Sequence, residues 1–195
     1  MARLAKRRHG VWLGLEGSID CLPAMRRALS GGAIVDLESL SRLPYGFTAV
    51  LAADTLEHLS DCERMLGLIH AALPPGGLLL VSVPNVANLY VRLALLCGRF
   101  PYSERGILDR SHRIFFTRAS LRELLRRQGF RIEREAVSVV PVPLAFPRLP
   151  GWMLGLLIRL LDPLTRLLPT LFGYQLLAIG RRQDKPLGDR AVTPV

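Results

Sequence analysis

The chain contains no run of eighteen apolar residues free of charge, which excludes an ordinary membrane-spanning helix. Its greasiest stretch, Trp152 to Phe172, is broken by Arg159, Asp162, Pro163, Arg166 and Pro169. The basic residues Arg3, Lys6, Arg7 and Arg8 precede an apolar run, Val11 to Leu15, that is too short for a secretory signal. These absences give the expectation of a cytoplasmic protein, with peripheral contact to a membrane left open. Cysteine is scarce: Cys21, Cys62 and Cys97 lie far apart with no CxxC pair, which argues against disulfides and against a zinc site. The four histidines, His9, His58, His70 and His112, have no ligand spacing along the chain. No metal is therefore expected from sequence.

Lysine is almost missing too, supplying two of the 26 basic residues. A net charge of +10 invites a nucleic-acid reading. However, the arginines are spread along the whole chain, and between Arg99 and Arg134 they alternate with Glu104, Asp109, Glu123 and Glu133. That pattern reads as a solvated face and points away from nucleic acid. What is present in quantity is hydrophobic residue, half of the 195, enough to bury a core and to exclude bulk disorder. The expected organisation is one domain over residues 1–182, with a helical insert at 141–172 and a disordered tail at 183–195.

Short apolar runs alternate with helical patterns. Residues 11–16 read as a strand ending in an acid, and 20–29 as a helix with Asp20 as its cap, stopped at Gly31-Gly32. A second strand at 33–37 again finishes in acid, and a third spans Phe47 to Ala53. Cys62, Met65, Leu66, Ile69 and Leu73 recur at helical period between Ser60 and Leu73. LLLVSV at 78–83 is apolar on both faces. A helix at 86–97, a polar loop at 98–114, and a helix at 118–128 between Thr117 and Gly129 follow. Strands at 130–140 and 174–180 flank the apolar helical segment 151–168. Continuous apolar strands alternating with helices predict a parallel α/β sheet covered on both sides.

Ligands of such sheets bind beyond the carboxyl ends of the strands. Glu16 and Asp36 stand there. One carboxylate can accept both hydroxyls of a ribose, and a second, one strand outward, can accept an exocyclic adenine amine.

Three segments occur in order: VLAADTLEHLSD (50–61), LPPGGLLLVSVPN (73–85) and RGILDRSHRIFFTRASLRELLRRQGF (105–130). Together with LPTLFGYQLLAIGRR (168–182) they resemble bacterial class I S-adenosylmethionine-dependent methyltransferases over roughly nine-tenths of the chain. The resemblance implies a Rossmann-like three-layer sheet, S-adenosylmethionine as cofactor, and methyl transfer. It implies that Glu16 binds the ribose, that Asp36 contacts the adenine with Leu37 against the ring, and that Ala53 approaches the methionine portion. Plain packing explains Leu37 and Ala53 as well. The family's first strand and its glycine-rich loop have no counterpart, so the sheet is expected to be N-terminally truncated. Three outcomes are open: the second strand slides over to pair with the fourth, the sheet is gapped, or the gene begins upstream of Met1; the last is the expectation.

Methyl transfer from a sulfonium needs alignment, and a base only when the acceptor must lose a proton. His58 and His112 are the candidates. Helix entry or stabilising the turn is the favoured reading of His58, and bonding Asp109 to order the loop is an alternative one of His112. No Asn/Asp-Pro-Pro-aromatic element follows the strand ending at Ala53, so the resemblance implies a hydroxyl or carbon acceptor on a small molecule or glycan. In the insert, Trp152, Leu156, Leu157, Leu160, Leu161, Leu164 and Leu168 make a broad apolar surface. It reads as a cap helix over the sheet or as an in-plane membrane helix suited to a lipid-linked acceptor. A scaffold that binds no cofactor, or a membrane-surface binding protein, is the rival to the enzyme. Oligomeric state is not legible.

Overall fold

The computed structural model describes residues 10–141 and 148–184. The described residues fall into two compact units, one within Met1–Arg42 and one within Leu43–Val195.

In the first unit, β1 (Leu13–Glu16) lies parallel to β2 (Gly31–Ile34), with α1 (Leu22–Ala28) between them in sequence. Asp20 is not the helix cap. Ser18 caps a 3-10 turn, Ile19–Cys21, by accepting from the Asp20 amide, and α1 follows with Pro23 in its first turn, where a missing N–H costs nothing. Gly31-Gly32 opens β2 instead of merely stopping the helix. A Cβ on Gly32 would stand 2.5 Å from Met25 Cε, so glycine there lets Met25 lie on the strand. β2 ends early because Asp36 accepts from the Glu38 amide and bends the chain into the turn Leu37–Ser39. None of the described residues of this unit is buried, and Leu13, Leu15 and Ile34 stay exposed. Among the described residues of this unit, each strand pairs with one neighbour and α1 is the one α-helix.

In the second unit the strands are β3 (Ala49–Ala53), β4 (Leu78–Pro84), β5 (Phe130–Val137) and β6 (Gln175–Arg182), in the order β3-β4-β6-β5. The sheet is mixed, which corrects the all-parallel expectation. β6 alone runs against its neighbours, because it enters between β4 and β5 from the far end of the helical insert. β4 is central and buried from Val81 to Pro84.

The helices form where their caps and apolar stripes dictate. α2 (Cys62–Ala72) is capped by Asp61, which accepts from the Arg64 amide at 2.8 Å, and it buries Cys62, Met65, Leu66 and Ile69. α4 (Arg118–Arg127) starts with a reciprocal Thr117–Ser120 capping box, buries Leu121, Leu124 and Leu125, and stops at Gly129, whose φ of +80° suits glycine. α3 (Leu89–Leu96) is shorter than expected, since Asn88 caps it through the Tyr90 amide. The insert folds as α5 (Gly151–Leu167) and α6 (Pro169–Phe172). No helix among the described residues is long and apolar enough to cross a membrane. Of the expected tail, residues 185–195 lie outside the described residues, as does 142–147 of the insert.

Candidate active site

The rim of the second unit is built where β3 ends. Asp54 follows Ala53 with a φ of +50°, a left-handed conformation uncommon outside glycine that aspartate tolerates better than most residues and that is held here by its surroundings. The constraint is a ring of bonds. The Asp54 amide donates to Ser82 O (3.0 Å), Ser82 Oγ to Gln175 Oε1 (2.9 Å), and Gln175 Nε2 to Asp54 Oδ1 (2.7 Å). The chain then makes one 3-10 turn, Leu56–His58, with Leu56 and Leu59 buried on either side. These leucines pull Glu57 inward until its exposure is 0%. Burial pushes the Glu57 carboxyl up to about 7, with the nearby Asp54 charge adding to the rise.

The loop after α3 closes over this turn. Ile107 and Leu108 plug it into a cluster with Val91, against Val86, Phe115 and Tyr174, so the expected polar loop has an apolar anchor. Glu57 O accepts from the amides of Arg113 (2.7 Å) and Ile114 (3.1 Å), which ties loop to turn. Phe116 bridges to Asn85 at the end of β4. Asp109 Oδ1 accepts from the Ser111 amide (2.8 Å) and hydroxyl (2.6 Å), and those bonds hold its carboxyl below the usual range. The His112 ring reaches Ile107 O, with Nδ1 at 3.1 Å, while the His112 amide donates to Asp109 O at 3.1 Å. His58 and His112 meet edge to face, their centroids 4.9 Å apart and both rings half-buried.

Behind this cluster a second clamp is buried. Asn85 Nδ2 donates to Thr170 O and Gly173 O, both at 2.9 Å, and Asn88 Nδ2 donates to Gly173 O. The end of the insert is thereby fastened to the end of β4.

In the first unit, Glu16 closes β1 opposite Ile34, and Asp36 lies two residues beyond Ile34, so both acids stand at the carboxyl rim of one parallel pair. Glu16 Oε1 accepts from the Gly17 amide at 2.9 Å and Asp36 Oδ1 from the Glu38 amide at 3.0 Å. The second oxygen of each has no protein partner among the described residues. Such acceptors at one rim fit a ligand carrying ribose hydroxyls and an amine.

A family model of a methyltransferase domain matches residues 15–135, more than half of the chain. The chain belongs to this family. As a class I S-adenosylmethionine-dependent methyltransferase domain, it takes S-adenosylmethionine as its cofactor. Its fold is similar to that of an S-adenosylmethionine-dependent methyltransferase from Archaeoglobus fulgidus, with 16% identity, a TM-score of 0.59, and 92% of this chain and 80% of that one covered. It is also similar to one from Mesorhizobium loti (19% identity, TM-score 0.57, 92% and 84% covered). A third likeness is to the magnesium protoporphyrin IX methyltransferase of Synechocystis PCC 6803, solved with bound SAH (15% identity, TM-score 0.58, 93% and 68% covered). At such identities the likeness concerns the fold. No curated protein matches the chain.

The methyltransferase domain thus carries Glu16, Asp36 and Leu37 in one unit, and Ala53, His58 and His112 in the other. Ala53 is half-buried at the end of β3, and its carbonyl accepts from Thr55 Oγ1 at 3.1 Å. Leu37 is half-buried in its turn. Sequence reasoning brought forward the two histidines but passed over Glu57. The one signal for Glu57 was its place between Leu56 and Leu59 in the turn after β3.

Proposed function

We propose that this domain transfers a methyl group to a hydroxyl on a small molecule or a lipid-linked glycan. The observation that carries the reading is the pair of half-buried imidazoles, His58 and His112, at the carboxyl end of β3, each tied by Nδ1 to a backbone carbonyl. A hydroxyl must lose its proton as it attacks, and a neutral imidazole beside it can take that proton. S-adenosylmethionine supplies an already activated methyl group. Glu16 would accept from its ribose hydroxyls and Asp36 from its adenine amine, with Leu37 against the ring and Ala53 beside the methionine portion.

The lipid-linked form of the acceptor is favoured by α5. Trp152, Leu156, Leu160, Leu164 and Leu167 form one stripe of that helix, and all are exposed. Arg159 and Arg166 flank the stripe, as on a helix that lies in the plane of an anionic surface. Nucleic acid is not favoured, because Arg118 and Arg122 pair with Glu135, Arg127 with Glu123 and Arg181 with Glu133.

Calorimetry with S-adenosylmethionine tests the cofactor residues: Glu16→Ala and Asp36→Ala should each weaken binding about tenfold or more. No binding by the unaltered chain would leave the non-catalytic scaffold as the reading. Transfer of labelled methyl to sugar and polyprenyl-linked hydroxyls tests the histidines. Turnover unchanged in both His58→Gln and His112→Gln would remove their role.

A further inference from the structure

Both carboxylate oxygens of Glu57 are buried, and neither has a hydrogen-bond partner. Buried polar atoms are almost always paired, so this carboxyl lacks something that belongs beside it. One of its oxygens, one ring nitrogen of His58 and one of His112 all lie within 4.8 Å of one another.

The two rings are oriented for lone pairs, not protons. Nδ1 of His58 faces Ser111 O at 3.3 Å, and Nδ1 of His112 faces Ile107 O at 3.1 Å. A carbonyl only accepts, so each Nδ1 carries the ring proton and each Nε2 keeps its lone pair. A backbone carbonyl fixing the far side of the ring is the usual support of a metal-bound histidine. One oxygen of Glu57 and one ring nitrogen of each histidine, all able to act as ligand atoms, thus converge.

The framework around them is rigid. The Arg113 and Ile114 amides hold the Glu57 carbonyl, and Asp109 holds the Ser111 turn that precedes His112. Glu57 forms a buried floor, while both histidines are half-buried and reachable from solvent.

We propose that Glu57, His58 and His112 bind one divalent transition-metal cation. Two imidazoles and one carboxylate suit zinc, cobalt or manganese, and three protein ligands leave a coordination position open, as in sites that act on a ligand. Ligands ~2.1 Å from zinc stand ~3.4 Å apart, so the observed spread closes by small rotations of the two histidines. Sequence spacing gave no hint of this set, because the fold alone brings residue 112 to residues 57 and 58. The binding claim stands without the methyl-transfer reading. A consequence rests on that reading: an acceptor hydroxyl on the open position gives up its proton nearer neutrality, with the bound cation acting in place of an imidazole base, since each Nε2 lone pair is then spent on the metal.

The test is titration of the chelator-treated full chain with cobalt(II), followed by visible absorption, then displacement by zinc(II). One equivalent is expected to bind. Glu57→Gln and His112→Gln should each weaken it about tenfold or more, whereas His70→Gln, whose ring bonds Gln183 O elsewhere, should leave it unchanged. If Glu57→Gln does not fold, His112→Gln in the loop decides. No saturable cobalt binding up to millimolar concentration, or equal affinity in the His112→Gln chain, overturns the proposal. S-adenosylmethionine binding is measured apart, by calorimetry. Its absence beside an intact cobalt spectrum sinks the methyl-transfer reading and leaves the metal site standing.

Discussion

At position 135 a carboxylate sits between two arginines of α4, with 15% of its side chain exposed. Arg122 and then Arg118 hold it below the usual carboxylate range. A carboxyl depressed in the folded state stabilises fully above its unfolded value of ~4.3, and that contribution is lost as pH falls through the lower folded value. Glu135→Gln should therefore cost about 1 kcal/mol near neutrality, where half-exposed Arg122 is screened by solvent, and flatten the acid limb of stability. Urea unfolding at pH 7 and below pH 4 checks this, and equal losses at both would contradict it. Glu57 shows the opposite case. Its surroundings were invisible in sequence because its burial comes from Leu56 and Leu59 packing inward and from a loop more than fifty residues away. A residue's type was legible there, but its solvation was not.

Elements were legible wherever cap and stripe agreed. Thr117, the three leucines of α4 and Gly129 fixed that helix almost to the residue, since each is a local choice between backbone conformations. Asp20 and Gly31-Gly32 misled, because a serine two residues earlier and a strand needing room for Met25 outweighed the local signal. α5 was legible as a helix, but its partner was not. Leu160 and Leu164 are 55% and 39% exposed, so replacing both with Glu should change stability by less than ~1 kcal/mol. The same pair should abolish flotation with anionic vesicles if the stripe lies on a membrane. Retained binding at low salt, or no binding by the unaltered chain, would remove the membrane reading.

At the scale of the whole molecule, burial is unequal. β4 is buried on both faces, whereas none of the described residues of Met1–Arg42 is buried. Amide hydrogen exchange should therefore run fastest in β1 and β2 and slowest in β4 and β6. Equal protection in both units would contradict it. Apolar runs, acids at strand ends and the three ordered motifs were enough to determine the class of fold and the family, because those patterns depend on neighbours along the chain. The reversal of β6, the division after Arg42 and the meeting of Glu57 with two histidines depend on which distant segments touch. Only tertiary packing decides that, since no local preference of residue 57 or 112 encodes the distance between them.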